Sequence, residues 1–263
     1  DEVHVGAYDP KVRLGVLDEC GIDAQIIFPS TIGLGGQDLG LVDDEALCRL
    51  AVEIYNDGMA EIQADSHDRL LPLPLMPAWS VDACVAEARR VAALGARGVN
   101  MTSDPQDLGA PDLANRAWDP LWEACTELEL PVHFHIGASV TGMTFYGKYP
   151  WASHPENTKL AIGGTLLFIG NARVVTNLIL SGMFDRHPDL KMVSVESGVG
   201  WIPFALHHLD RPPQDLFREG DVRRVDDGPP GGRPQRGQGL LDDETAPVEE
   251  PDGAGRLPAL LLD

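Results

Sequence analysis

Apolar and polar positions along the chain fall into short apolar runs separated by longer amphipathic stretches. Within 11–20, Val12, Val16 and Leu17 can share one face of a helix. Ala24-Gln25-Ile26-Ile27-Phe28 is closed by Pro29 and has the length and make-up of a buried strand. A Gly-rich loop over 33–40 leads into a predicted helix over 43–64, with Asp43 and Asp44 at its positive N-terminal end. Residues 70–76 are apolar, but Pro72 and Pro74 weaken their strand character. The pattern then predicts helix over 81–94, strand over 98–101, helix over 112–128 and strand over 130–136. One or two helices are expected over 156–187, broken at Gly163, Gly164 or Gly170, then a strand over 190–195 and a helix over 199–210.

Strand and helix in this alternation predict a parallel sheet with right-handed crossovers. Five such strands fit either a doubly wound sheet or a segment of an eight-stranded barrel, and rhythm alone does not choose. With 263 residues, 43% of them hydrophobic, the chain is long enough for one large α/β domain. The pattern breaks near residue 211: beyond it Phe217 is the one aromatic residue, and 226–234 is a Pro/Gly-rich run that cannot form helix or central strand. The expected organisation is a barrel segment over 1–210 and a Pro/Gly-rich tail over 211–263, disordered or frame-shifted.

Charge narrows the partners. With 41 acidic against 20 basic residues the formal charge is -21, which repels phosphate backbones and anionic lipid. Nucleic acid and membrane surfaces are therefore not expected partners. No apolar run reaches the 18 residues or more of a membrane span and no signal peptide is visible, so a cytoplasmic location is expected. Cys20, Cys48, Cys84 and Cys125 are widely spaced with no C-x-x-C pair, which predicts buried reduced thiols.

Two segments carry candidate chemistry. In Pro131-Val132-His133-Phe134-His135-Ile136-Gly137 two histidines sit two apart on a predicted strand and share a face. Neutral imidazole suits zinc and similar ions, although a pair of hydrogen-bonded structural histidines is about equally expected from the residues alone. In Val195-Glu196-Ser197-Gly198 a carboxylate ends an apolar strand, where it is costly unless paired, metal-bound or functional. His154 lies in a long loop after the histidine strand and is a weaker candidate, and Asn100 ends a strand as a polar wall. The loop Gly33-Leu34-Gly35-Gly36 lacks the last glycine of a dinucleotide fingerprint, with Asp38 in its place.

Taken in order, several segments resemble the amidohydrolase-2 family, which includes aminocarboxymuconate-semialdehyde and resorcylate-type decarboxylases. They are Tyr8-Asp9-Pro10 with Gly21-Ile22-Asp23-Ala24, Leu70-Leu71-Pro72, Gly95-Ala96-Arg97-Gly98-Val99, Trp118-Asp119-Pro120-Leu121-Trp122, Pro131-Val132-His133-Phe134-His135, Gly170-Asn171-Ala172-Arg173 and Val195-Glu196-Ser197-Gly198-Val199-Gly200-Trp201. The resemblance implies an incomplete TIM (β/α)8 barrel with about strands 2–6 present and a divalent metal, zinc or manganese, at the C-terminal strand ends. It implies His135 as the metal ligand of the fifth strand. Glu196, with His154 the candidate catalytic residue, then stands on the sixth strand, where many relatives have histidine.

Two elements of the family pattern are missing, the opening His-x-His strand and a closing Asp-Phe-Pro-His or Asp-Tyr-Pro-His. A frame shift soon after residue 211 is one cause, since bases able to encode Arg256-Leu257-Pro258-Ala259-Leu260 can read Asp-Phe-Pro-His in a neighbouring frame. The implied activity is a carboxy-lyase on a small aromatic or unsaturated carboxylic acid. Its alternatives are a metal-dependent hydrolase of a C–O or C–N bond and an inactive fragment, and a homodimer is the oligomer such relatives often form.

Overall fold

The computed structural model describes residues 3–30, 32–143, 151 and 153–209; the predicted tail over 211–263 lies outside them. The described residues belong to one unit, Asp1–Leu216. Among the described residues five short strands alternate with helices: β1 (Gln25–Ile27), β2 (Leu70–Pro72), β3 (Val99–Asn100), β4 (Val132–His135) and β5 (Met192–Val195). The larger helices between and around them are α1 (Pro10–Cys20), α2 (Glu45–Asp65), α3 (Val81–Ala93) and α4 (Asp119–Glu127). A one-turn α5 (Val140–Met143) follows β4, then α6 (Glu156–Leu167), α7 (Gly170–Leu180), the short α8 (Met183–Arg186) and α9 (Trp201–Leu209).

Every strand pair is parallel. β1 pairs with β2, and β3, β4 and β5 form a second sheet in that order. A single parallel bridge from Leu75 to Asn100, with the Asn100 N–H bonded to the Pro74 carbonyl, joins the two sets. Parallel neighbours with a helix between them place all strand C-termini on one side.

Side chains on β4 alternate between two faces. Val132 and Phe134 enter a core built from Cys84, Ala88 and Val91 of α3, Leu121, Trp122 and Cys125 of α4, and Val174 and Leu178 of α7. His133 and His135 point the other way, where the ring of Phe28, just past β1, packs edge-on at 6.1 Å and 5.0 Å. This two-residue period is the sequence pattern carried into space. Trp122 is 1% exposed. Trp122→Ala should lower unfolding free energy by about 3–5 kcal/mol, read from the midpoint of a urea titration.

Three local expectations need correction. Gly163 and Gly164 do not break a helix; α6 runs through both and stops at Leu167. A helical glycine costs only about 1 kcal/mol relative to alanine, too little to terminate a packed helix. The segment predicted as helix from 112 becomes helical only at a 3-10 turn over Arg116–Trp118 and α4. Asp112 and Asn115 accept from the N–H groups of Ala114 and Ala117, which diverts the backbone from the helical pattern. Cys48, Cys84 and Cys125 are buried and unpaired, whereas Cys20 is exposed.

Glu156–Leu180, which spans α6 and α7, is long and apolar enough to cross a membrane. Its buried residues include Val174 and Leu178 in the core and Asn171, whose Nδ2 donates to the Phe134 carbonyl at 2.7 Å. Those contacts are what a helix covering a sheet makes.

Candidate metal centre

The C-terminal ends of β4 and β5 define the site. His135 is the register partner of Val195, so Glu196 begins one residue beyond the pair. Glu196 takes a left-handed backbone, φ +54°, which costs a non-glycine residue roughly 1–2 kcal/mol. The turn carries its carboxylate back across β4: Glu196 Oε2 lies 3.5 Å from His135 Nε2. The histidine side chain is 7% exposed and the glutamate side chain 65%.

His135 Nδ1 lies 2.8 Å from the Ile136 carbonyl. A carbonyl only accepts, so Nδ1 carries a hydrogen, and in the neutral ring Nε2 keeps its lone pair. With the ring neutral, an imidazole lone pair and a carboxylate, both acceptors, face each other across 3.5 Å. Two facing acceptors call for a cation or a proton between them. An imidazole nitrogen and a carboxylate oxygen suit a divalent ion in kind. Among the described residues no group of three or more His, Cys, Asp or Glu side chains could hold a metal. The pair offers two donor atoms, fewer than a complete coordination sphere requires.

His133 differs from its neighbour. Its Nδ1 sits 3.3 Å from the Val99 carbonyl and 3.2 Å from that of Pro131. Burial pushes its pKa down, and the two carbonyls only partly oppose this, so it is a neutral, hydrogen-bonded histidine. Asn100 pairs in register with His133; its Nδ2 donates to the Leu34 carbonyl, and its buried Oδ1 has no partner among the described residues. His154 is exposed in the turn before α6, and no contact joins its ring to His135 or Glu196 among the described residues.

Bonded to Ser139, four residues past His135, is a group that sequence reasoning did not single out. Asp104 is 1% exposed and accepts two hydrogen bonds from Arg173, both 2.6 Å, plus one each from Ser139 and Gln106. Burial would raise its pKa, but the bonds from Arg173 and Ser139 and the guanidinium charge outweigh burial and hold it below the carboxylate range. The sign follows: a depressed folded pKa gives stability that is present above the unfolded value, about 4, and is lost as pH falls through the folded one. Asp104→Asn should be less stable than wild type by a constant amount at neutral pH, and the gap should shrink below about pH 4 in denaturation curves.

A family model described as Amidohydrolase matches residues 3–242. This chain belongs to the amidohydrolase family. Among its relatives, the amidohydrolase chain is 29% identical over 209 residues to gamma-resorcylate decarboxylase from Rhizobium sp., covering 75% of this chain and 58% of that protein. In solved structures it resembles an amidohydrolase from Mycobacterium avium subsp. paratuberculosis (22% identity, TM-score 0.62, 78% of this chain and 52% of that one). It also resembles 5-carboxyvanillate decarboxylase from Novosphingobium aromaticivorans, complexed with manganese and 4-hydroxy-3-methoxy-5-nitrobenzoic acid. That pair shares 22% identity and a TM-score of 0.59, over 76% of this chain and 52% of that one. These likenesses imply a TIM-barrel-like α/β fold. The amidohydrolase chain spans about 58% of the Rhizobium decarboxylase it matches.

Proposed function

We propose that this chain supplies about strands two to six of a metal-dependent (β/α)8 barrel, and that the barrel is a non-oxidative carboxy-lyase acting on an aromatic or unsaturated carboxylic acid. The observation that carries the proposal is the pair of facing acceptors, His135 Nε2 and Glu196 Oε2, 3.5 Å apart at the C-terminal ends of adjacent parallel strands. That end of a β/α barrel is where catalytic groups collect. The decarboxylase relatives, one of them holding manganese, support the substrate class and a divalent ion such as zinc or manganese.

In this reading His135 would hold a divalent ion through Nε2. A divalent ion held there would supply Lewis-acid stabilisation of charge on a bound carboxylic acid. Glu196 delivers a proton from Oε2 to the ring or enol carbon that bears the carboxylate, and carbon dioxide then leaves. Its exposed side chain exchanges protons with solvent after each turnover. Phe28 packs edge-on against the His135 ring at 5.0 Å and helps to fix its orientation.

Carbon dioxide release from a panel of hydroxybenzoates and muconate-like acids, with zinc or manganese added, tests the proposal. Release from at least one acid is expected. Ester or amide cleavage without carbon dioxide would replace the carboxy-lyase reading with a hydrolase one.

A further inference from the structure

Side chains from two neighbouring loops converge on the residues that follow His135, and the proposed chemistry uses none of them. Gln37 Nε2 donates to the Gly137 carbonyl at 3.2 Å, and Thr102 Oγ1 to the Ala138 carbonyl at 2.6 Å. Ser139 Oγ donates to Asp104 Oδ2 at 2.5 Å and accepts from the Gly142 N–H at 2.7 Å. Arg173 grips the far side of Asp104 with both Nη atoms, which neutralises the buried charge and fixes the plane of the carboxylate. The contact is close as well as polar: a Cβ on Gly35 would stand 2.1 Å from the Ala138 carbonyl oxygen.

The segment held in this way, Gly137 to Ser139, directly follows the Ile136 carbonyl that His135 Nδ1 meets, and so limits how that carbonyl can turn. The Ile136 carbonyl keeps the hydrogen on Nδ1. With that carbonyl turned away, the ring gains a competing choice, since a hydrogen on Nε2 could be donated to Glu196 Oε2. An incoming cation would then meet an N–H group where the lone pair should be. Holding the loop is therefore holding the tautomer.

We infer that Asp104, backed by Arg173, is a positioning residue for His135: through Ser139 it fixes the loop after β4 so that the Ile136 carbonyl selects the Nδ1–H tautomer and leaves Nε2 open. The inference rests on the function proposed above, because it takes His135 as the cation-facing side chain. It extends the site to groups that supporting partners of metal-bound histidines commonly include, carboxylates and carbonyls.

The test uses the full chain labelled with 15N-histidine, metal-free at about pH 8, where free imidazole is neutral. The 15N shifts report the tautomer, and equilibrium dialysis against Zn2+ reports affinity. Wild type should be in the Nδ1–H form. Asp104→Asn and Ser139→Ala should shift His135 toward a mixture and weaken Zn2+ binding by about 10–100-fold. Ser139→Ala leaves the Asp104–Arg173 pair in place, so it carries the test if Asp104→Asn does not fold. Glu87, a buried carboxylate paired with Arg90 and Asn56 away from the site, is the control, and Glu87→Gln should leave tautomer and affinity unchanged. The inference is overturned if the Asp104 and Ser139 variants keep the wild-type tautomer, or if Glu87→Gln reproduces their effects. If wild type binds no Zn2+ yet the tautomer follows Asp104, the positioning role stands and the metal-centre reading fails.

Discussion

Glu196→Gln should lower kcat of the metal-loaded protein by about 10²–10⁴-fold, the usual worth of a positioned proton donor. The amide keeps the size and the left-handed turn of Glu196 but can no longer hand over its proton. Metal affinity should change far less than kcat, since in this account His135 provides the ligand and Glu196 the proton. The pH profile separates the two roles. A proton donor gives a limb on the rate that vanishes in Glu196→Gln, whereas a pure ligand role would show as weaker metal binding at every pH. Loss of affinity with unchanged kcat at saturating metal would move Glu196 from proton transfer to coordination.

His135→Ala should have the larger effect on the metal itself. It removes the lone pair that faces Glu196 Oε2 at 3.5 Å. The expected loss of affinity exceeds the roughly 10–100-fold typical of removing an outer supporting group. His133→Gln is the matched comparison. That ring is bound to the Val99 and Pro131 carbonyls, so its replacement should cost stability while metal binding persists. Equilibrium dialysis and denaturation of both variants check the contrast. Equal losses of affinity from the two substitutions would mean that the β4 histidines act as one structural unit.

Much of this arrangement is legible in the residues. The two-residue spacing of His133 and His135 places both on one face of β4, and the apolar run ending in Glu196 places a carboxylate at the end of β5. What spacing could not separate is the work of the two histidines, which depends on which carbonyls their rings meet. Register supplies the rest: His135 stands opposite Val195, so the next residue is the one that can reach it. Asp104 was not legible as a partner, because its meaning comes from Ser139 and Arg173, 35 and 69 positions away. The one local hint was Gly170-Asn171-Ala172-Arg173, where Asn171 ties α7 to β4 and Arg173 reaches Asp104. The helix ends were misread where capping side chains at Asp112 and Asn115 outweighed an apolar period, and where two glycines in α6 proved too weak to stop it.

The most direct measurement is anomalous diffraction from crystals of the protein grown with Mn2+ or Zn2+. The account predicts a peak about 2.0–2.2 Å from His135 Nε2, with the Glu196 carboxylate turned toward it. A peak elsewhere, or a fully loaded crystal with nothing at His135, would contradict it.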